Sequence, residues 1–412
     1  MILFFLVSGL FLGWSLGAND ASNIFGSAVG SRMISFKTAA IIASVFVILG
    51  AVIQGAGATE TLGRLGSVNA IGGSFAVALA AGLTVYIMTR FAIPVSTTQA
   101  IVGAIIGWNL FTGNPTDLNA LTQIVSTWVS GPILGAIFAI LLYIMLRKLK
   151  RKLAIHLFRF ESFIRTGLII AGAFGAYSLG ANNIANVMGV FIPSFSLQEL
   201  KIGIITLSSS QQLFLMGGMA IAAGILTYSN RVMEKVGSSI VELSPEAALV
   251  VVVSQALVLF MFSSKGLSEA LSAAGIPPIP MVPVSSTQVV IGSIIGIGLY
   301  KGVRNINFRV LGEIAAGWIF TPLLAGITTF FSLFFIKNIF IIDVGRKYEN
   351  GSPMVETSPA VSAGDSLGSI LQYFILAVLI AGIVGIVIYY MLEFKKSREL
   401  KKSDEKFWRR LK

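Results

Sequence analysis

Cysteine is absent from the 412-residue chain, histidine occurs once, and charged residues make up only 12% of the sequence. Without cysteine, the chain has neither disulfides nor thiolate chemistry. The single histidine, His156, leaves few candidates for a nucleophile with its base or for metal ligands, which disfavours an enzyme. Soluble domains carry about 25% charged residues. The shortage of charge therefore argues against a water-soluble chain.

The chain is instead rich in long apolar runs. Hydrophobic residues make up 55% of the chain, and its mean hydropathy is +0.86. Apolar runs recur at residues 38–53, 128–146, 320–336 and 370–392. A helix needs about 20 apolar residues to cross the hydrocarbon core of a bilayer, whereas a β-barrel shows shorter, alternating segments. The sequence predicts an all-α polytopic membrane protein.

The net charge of +12 comes largely from basic clusters at the edges of apolar runs. Residues 147–165 hold seven Lys or Arg and one Glu, and residues 395–412 hold nine Lys or Arg and three acids. Basic clusters beside membrane spans mark the cytoplasmic side. We therefore expect a lipid bilayer as partner, no nucleic acid, and location in the cell membrane. Counting spans outward from the clusters places the N-terminus outside and the C-terminus in the cytoplasm.

Polar motifs recur in the same order in the two halves of the chain. "SLGAND" at residues 15–20 matches "SLGANN" at residues 178–183, and "PVSTTQ" at residues 94–99 matches "PVSSTQ" at residues 283–288. Trp128 and Trp318 follow as a further matched pair. An odd number of predicted spans separates the halves, so the second copy is predicted to be inverted in the membrane. Inverted repeats with interrupted helices are typical of secondary transporters.

The two proline motifs interrupt apolar regions. Proline breaks helix geometry, and the Ser/Thr run that follows it favours a new helix start. The apolar pieces that flank residues 94–99 are about 16 residues each, which is short for a span. We predict two re-entrant helical hairpins, with tips at residues 94–99 and 283–288, that meet near the midplane. Ser244, Pro245 and Glu246 form a helix-start signal for the first arm of the second hairpin.

The predicted organisation follows from these boundaries. Residues 1–146 form a first inverted repeat and residues 166–341 a second, and a basic cytoplasmic linker at residues 147–165 joins them. Within the second repeat, residues 201–229 are predicted as one returning span. An extracytoplasmic loop at residues 342–368, a further transmembrane helix at residues 369–394 and a basic cytoplasmic tail at residues 395–412 complete the chain.

With four motifs in this order, the sequence resembles the inorganic phosphate transporter family of sodium- or proton-coupled phosphate symporters. The resemblance covers residues 1 to about 340 and rests on the Gly-Ala-Asn signatures at residues 17–23 and 180–186 and on the two tips. It implies import of inorganic phosphate by symport with sodium, with alternating access around a midplane site. It implies no cofactor beyond the co-transported sodium ions. A homodimer is left open.

The resemblance places phosphate at the two tips, and the chemistry of the residues agrees. The start of a helix favours an anion because its first N–H groups are free and the dipole is positive there. Hydroxyl and amide side chains add donors, and the amides can also accept from a protonated phosphate. The predicted phosphate ligands are Ser96, Thr97, Thr98, Gln99, Ser285, Ser286, Thr287 and Gln288.

The two signatures are the predicted sodium site. A carboxylate at membrane depth is costly, so Asp20 is a functional candidate by default. Amide oxygens beside it are hard ligands, and unwound backbone carbonyls can complete such sites. The predicted sodium ligands are Asn19, Asp20, Asn23, Asn182, Asn183 and Asn186.

The sequence departs from the family pattern at three places. Asn183 stands where the family usually has Asp, Gln99 and Gln288 stand where many members have His, and no glutamate lies near Val47 and Val252, where eukaryotic members carry one. The departures leave proton coupling open beside sodium coupling. A sulfate permease of the same family also stays open, and a passive anion channel or a membrane enzyme are alternatives from other classes.

Overall fold

The computed structural model describes residues 2–91, 95–153, 157–202, 205–230, 232–233, 243–302 and 308–345. All of them belong to one compact unit, Met1–Val361. Pro94 and His156 lie outside the described residues. So do the predicted helix at 369–394, the predicted tail at 395–412, and the part of the predicted 342–368 loop that follows Gly345.

Helices dominate the described chain, as the composition predicts. The first six are α1 (Ile2–Gly30), α2 (Phe36–Gln54), α3 (Ala56–Leu65), α4 (Ile71–Arg90), α5 (Thr97–Thr112) and α6 (Leu118–Leu153). The next are α7 (Leu157–Met188), a 3-10 helix (Gly189–Ser194) and α8 (Ser209–Tyr228). The last are α9 (Pro245–Ser263), α10 (Lys265–Ala273), α11 (Ser286–Lys301) and α12 (Phe308–Asn338).

Seven of the described helices are long and apolar enough to cross a bilayer. They lie within α2, α4, α6, α8, α9 and α12, and in the stretch from α7 through the 3-10 helix. Many of the exposed side chains of α6 and α12 are apolar, among them Val129, Ile133, Phe331 and Phe335. Such surfaces suit lipid as the surrounding solvent. The chain is an integral membrane protein.

Several helix starts coincide with local signals in the sequence. Ser244 caps α9, its Oγ accepting from the N–H of Ala247, and Pro245 takes the first helical position with Glu246 in the first turn. The predicted helix start there is confirmed. Ser208 and Gln211 form a reciprocal capping box at the start of α8. Both devices satisfy N–H groups that the first helical turn leaves free.

Helical structure extends into the predicted linker at 147–165, since α6 continues to Leu153 and α7 begins at Leu157. The predicted span at 201–229 is wrong before Ser209, where α8 begins, since an antiparallel pair of strands precedes this helix. The strands are β1 (Leu200–Ile202) and β2 (Ile205–Leu207), with Leu200 opposite Leu207 and Ile202 opposite Ile205. The β-branched, alternating residues there favour a strand over a helix start.

The helices around the predicted tips differ in length. α5 and α11 each have 16 residues, close to the prediction, whereas α4 has 20 and α9 has 19. α4 is therefore longer than the predicted piece of about 16 residues, and both α4 and α9 are long enough to cross a bilayer. The connections differ too, because α10 and an extended segment lie between α9 and α11, whereas α4 and α5 are joined by residues 91–96.

The pattern of helix neighbours is the same in the two halves. α1 packs against α4 and α8, and α7 correspondingly packs against α9 and α2. α5 packs against α12, and α11 correspondingly against α6. The second helix of each half thus lies on the first helix of the other half. This exchange interlocks the halves and brings the two Gly-Ala-Asn signatures into one core.

Glycines let α5 and α11 approach long helices at van der Waals distance. A Cβ added at Gly292 of α11 would lie 2.1 Å from the carbonyl oxygen of Pro132 in α6. One added at Gly103 of α5 would lie 2.1 Å from the carbonyl oxygen of Pro322 in α12. Pro132 and Pro322 sit inside their helices, where proline removes a hydrogen bond and favours a kink. Each of these prolines therefore lies beside one of the tip helices.

The α4–α5 pair and the α9–α11 pair contact opposite ends of α12. Near the start of α12, Ile314 packs in an apolar cluster with Ala247 of α9 and Ile297 of α11. Just past the end of α12, the carbonyl oxygen of Val344 accepts a hydrogen bond from the Trp108 indole of α5 at 2.7 Å. The open ends of the two pairs, away from the tips, therefore contact α12 near its opposite ends.

Candidate functional site

All fourteen predicted ligand side chains lie in the interior, each at most 3% exposed. Described parts of both tips, residues 95–99 and 283–288, meet the signatures of α1 and α7 there. The side chains at this site are Asn19, Asp20, Asn23, Asn182, Asn183, Asn186, Ser96, Thr97, Thr98, Gln99, Ser285, Ser286, Thr287 and Gln288. Residues far apart in the sequence therefore share one buried polar region.

The first hydroxyl of each tip caps its own helix. Ser96 Oγ accepts from the N–H of Gln99 at 3.2 Å, and Ser285 Oγ accepts from the N–H of Gln288 at 3.3 Å. Both caps are the usual response to free N–H groups at a helix start. Ser96 and Ser285 thus fix the beginnings of α5 and α11 and aim those beginnings at the site.

The two tips bond to each other reciprocally. Thr287 Oγ1 donates to the carbonyl oxygen of Val95 at 2.9 Å, and Thr98 Oγ1 donates to the carbonyl oxygen of Val284 at 3.5 Å. Thr98 and Thr287 occupy equivalent positions in the two motifs, as do Val95 and Val284. A contact in which equivalent residues exchange roles is the mark of a local two-fold relationship.

The signature of α1 bonds to the second tip. Ser286 Oγ donates to Asp20 Oδ2 at 2.9 Å. Asn23 Nδ2 donates to Ser286 Oγ and to Thr287 Oγ1, each at 3.0 Å. Asn19 faces another way and donates to Thr89 Oγ1 of α4 at 2.8 Å. Hence the carboxylate and two amides of α1 are held in fixed orientations by α4 and α11.

The signature of α7 contacts both tips. Asn182 makes two hydrogen bonds to the backbone of Val284. Its Oδ1 accepts from the Val284 N–H at 2.9 Å, and its Nδ2 donates to the Val284 carbonyl oxygen at 2.7 Å. Asn186 Nδ2 donates to Thr98 Oγ1 at 2.9 Å and to Asn183 Oδ1 at 3.0 Å. Asn182 Nδ2 also lies 3.2 Å from Asn183 Oδ1. α7 therefore ties the two tips together from one side.

Four side-chain oxygens of the signatures are buried without a hydrogen-bond partner among the described residues. They are Asn19 Oδ1, Asp20 Oδ1, Asn23 Oδ1 and Asn186 Oδ1. A buried unpaired oxygen is unfavourable by about 1–3 kcal/mol, so native proteins normally satisfy it. Carbonyl and carboxylate oxygens are ligands that hard cations prefer. The set fits a cation such as sodium.

Several predicted ligands already have their polar atoms bonded within the protein. Both polar atoms of the Asn182 amide bond to Val284, so Asn182 acts as a clamp on the tip. The hydroxyl protons of Ser286 and Thr287 are directed at Asp20 and Val95. Among the tip hydroxyls that the structure describes, Thr97 Oγ1 is buried without a partner.

Two tryptophans that the sequence marked only as a repeat lie one helical turn before the prolines that face α11 and α5. Gly292 faces Pro132 and Gly103 faces Pro322, and Trp128 and Trp318 each precede one of these prolines by four residues. The indole N–H groups of both tryptophans and the Oε1 atoms of both glutamines are buried without partners within the described ranges. The sequence signal that could have identified these two tryptophans is their equal spacing, four residues before a proline in each half.

The family model for the phosphate transporter family matches residues 16–329, which include both signatures and both tips. The chain belongs to the phosphate transporter family. Membership makes it a transporter and not an enzyme, in line with the prediction from its residues.

Relatives within the phosphate transporter family align over most of their length. A provisionally named phosphate permease of Thermococcus kodakarensis is 29% identical over 406 residues, covering 80% of this chain and 96% of the relative. One of Pyrococcus horikoshii is 28% identical over 402 residues, covering 79% of this chain and 95% of the relative.

A solved structure shares the fold of this family member. It is described as the sodium-dependent phosphate transporter, and it superposes with a TM-score of 0.65 at 23% identity. The match covers 82% of this chain and 99% of the solved chain. The predicted fold class is therefore confirmed as far as an all-helical membrane transporter architecture.

Proposed function

We propose that this chain imports inorganic phosphate by symport with sodium, with alternating access to a site between the two tips. The observation that carries the proposal is the reciprocal tip contact beside four unpartnered oxygens, one of them a carboxylate. Helix starts favour an anion, and the free oxygens favour a cation, so one buried region can hold both. The solved structure that shares this fold is described as a sodium-dependent phosphate transporter, which agrees with this choice of ion.

The proposal includes an inverted repeat with two re-entrant hairpins, α4–α5 and α9–α11. The open ends of these pairs contact opposite ends of α12, which supports entry from opposite sides of the membrane. The matched neighbours of the two halves and the reciprocal tip contact support a two-fold relation between them. Such a relation about an axis in the membrane plane gives a site that can open to either side.

Charge balance favours sodium as the coupling ion. Asp20 is the one acidic side chain that is buried in the described part of the chain, and no Lys or Arg is buried with it there. With Asp20 ionised, two sodium ions and one dihydrogen phosphate leave no net charge. Net charge at low dielectric is strongly unfavourable. We therefore propose electroneutral occupancy with two sodium ions, and proton coupling becomes the alternative.

Free acceptors at the tips favour phosphate over sulfate. Gln99 Oε1 and Gln288 Oε1 are buried, and neither has a partner among the residues described. Dihydrogen phosphate has O–H groups that need acceptors, whereas sulfate is fully ionised and offers none. A site with two waiting acceptors leaves both unpaired when sulfate binds. That mismatch is the basis for the proposed selectivity.

The test is uptake of radiolabelled phosphate into proteoliposomes that contain the purified full-length chain. Uptake should require an inward sodium gradient, should stop when choline replaces sodium, and should persist in excess sulfate. Liposomes without protein are the control. Uptake driven equally well by a proton gradient without sodium would establish the proton-coupled alternative, and uptake blocked by sulfate would establish the sulfate permease. Gradient-independent flux would establish a passive channel.

The proposal also covers placement and assembly. We propose that the N-terminus is extracytoplasmic and that the end of α6 and the C-terminus are cytoplasmic, because the basic clusters lie there. A homodimer stays a prediction. Sedimentation of the purified chain in detergent of known bound mass distinguishes a dimer from a monomer.

A further inference from the structure

Asn183 and Thr97 are the counterparts, in the other half of the site, of two residues that hydrogen-bond to each other. Asp20 and Asn183 are equivalent in the two signatures, and Ser286 and Thr97 are equivalent in the two tips. In one half, Ser286 Oγ donates to Asp20 Oδ2 at 2.9 Å. In the other half, Asn183 Nδ2 and Thr97 Oγ1 are both buried and unpartnered within the described residues. Both side chains are 1% exposed.

The orientation of the Asn183 amide is set by its neighbours. Its Oδ1 lies 3.0 Å from Asn186 Nδ2 and 3.2 Å from Asn182 Nδ2, both of which are donors. Turning the amide over would put an NH2 group against two other NH2 groups. Because of this, the oxygen is occupied and the free atom is the nitrogen. A free N–H group is a ligand for an anion, and it repels a cation.

We infer that Asn183 is a ligand of the transported anion and not of sodium, so that the site is polarised between its two halves. This inference rests on the proposed function, and it assigns Asn183 to the part of the site that binds phosphate. Three of the four free oxygens of the signatures lie on α1, at Asn19, Asp20 and Asn23, and the fourth is Asn186 Oδ1 on α7, whereas Asn183 Nδ2 and Thr97 Oγ1 are free donors. The cation therefore occupies the α1 side, and a phosphate oxygen bridges Asn183 Nδ2 and Thr97 Oγ1 on the α7 side.

The first turn of α5 strengthens the anion side. Gln99 N–H is capped by Ser96 and Ala100 N–H bonds to the Ser96 carbonyl. The N–H groups of Thr97 and Thr98 precede the first intrahelical bond, so they are available to a ligand. These groups, the Asn183 amide and the Thr97 hydroxyl converge on one region through the Asn186 bridge between Asn183 and Thr98. Their partial charges favour a phosphate oxygen there.

Two variants at position 183 should both weaken phosphate binding but should differ in their sodium dependence. Asn183→Asp replaces the free donor with a charged acceptor. It should raise the dissociation constant for phosphate by about tenfold or more at fixed sodium, since it puts like charge beside the anion. It should also raise the sodium Hill coefficient by about one, since a second carboxylate demands another cation. Asn183→Leu removes the donor without adding charge, so phosphate affinity should fall while the sodium dependence stays unchanged.

The measurement is binding of radiolabelled inorganic phosphate to the purified full chain across sodium concentrations, with choline keeping ionic strength constant. Asn338→Asp is the matched control, because Asn338 is exposed at the end of α12 and bonds only to its own helix. A single thermal transition for each variant shows that it is folded. Loss of sodium affinity in Asn183→Leu, or tighter phosphate binding in Asn183→Asp, would overturn the inference alone. Absence of sodium-dependent phosphate binding in the parent chain would overturn the proposed function with it.

Discussion

At the scale of single residues, the site is defined by which polar atoms are still free. Asn19, Asp20, Asn23 and Asn186 each direct one atom at the protein and leave one oxygen unbonded among the described residues. The bonded atoms hold the side chains still, so the free oxygens need no reorganisation when a ligand arrives. Ligand sites of this kind bind more tightly because the ordering cost is met during folding.

Asp20→Asn should weaken sodium binding before phosphate binding. Asparagine keeps the shape, and its oxygen can still accept from Ser286, so the fold should persist. Loss of the negative charge should raise the sodium concentration for half-maximal phosphate binding by about tenfold or more. Sodium titration of phosphate binding measures this. Asp117→Asn is the control, because Asp117 only caps the start of α6. An unchanged sodium dependence would remove Asp20 from the ion site.

Thr98→Val and Thr287→Val test the reciprocal contact between the tips. Each variant removes a hydroxyl that donates to the other tip and accepts from an asparagine. Each should weaken phosphate binding by about 1–3 kcal/mol, because buried partners are left unpaired. Thr329→Val is the matched control, since that buried hydroxyl bonds only within α12. Affinities equal to the control in both variants would mean that the tip contact does not shape the site.

At the scale of helices, close packing against a proline-containing helix positions each tip. Gly292 and Gly296 of α11 face Pro132 and Ala136 of α6, and Gly103 and Gly107 of α5 face Pro322 and Gly326 of α12. Backbone lies against backbone at these points, as is common between membrane helices that pack through small residues. The position of a tip is consequently tied to the shape of a long helix that it contacts.

Gly292→Ala should destabilise the protein, because its Cβ would lie 2.1 Å from the carbonyl oxygen of Pro132. Overpacking of this kind typically costs about 1–3 kcal/mol. Gly312→Ala is the matched control, since nothing lies within 4 Å of its added Cβ; alanine there should be neutral or stabilising by up to about 1 kcal/mol. Thermal unfolding in detergent compares the two. Equal midpoints would show that the close approach is not tightly constrained.

At the scale of the whole molecule, two interlocked halves surround one site. Because the second helix of each half packs on the first helix of the other, neither half encloses the signatures by itself. The basic side chains Lys150 and Lys301 lie at the same end, where Lys150 pairs with Glu246 and Lys301 reaches Ser244. A shared basic end is what one orientation in the membrane requires.

Cysteine labelling tests that orientation, since the native chain has no cysteine. Ser352→Cys lies in the predicted extracytoplasmic loop and should react with an impermeant maleimide from outside intact cells. Ser162→Cys, exposed near the start of α7, should react only after the membrane is opened. Labelling of Ser352→Cys solely from the cytoplasmic side would contradict both the topology and the inverted repeat.

The sequence by itself determined the features that depend on local composition or short motifs. Apolar runs identify membrane helices because, in the hydrocarbon core of a bilayer, the backbone must satisfy its own hydrogen bonds, as a helix does. Ser244, Pro245 and Glu246 mark a helix start because caps act within one turn. The matched motifs contain all fourteen predicted ligand residues, which the structure buries in one polar region. The predicted span at 201–229 was wrong before Ser209, because β1 and β2 pair with each other there.

Tertiary structure alone decided which polar atoms of each candidate site residue are bonded and which are free. Asn182 bonds to Val284, 102 positions away in the chain, and Asn23 bonds to Thr287, 264 positions away. An amide can donate or accept, and only its partners settle which of its atoms stays free. For that reason the sequence could place Asn182 and Asn183 beside Asp20, but it could not separate a clamp from a ligand or a donor from an acceptor.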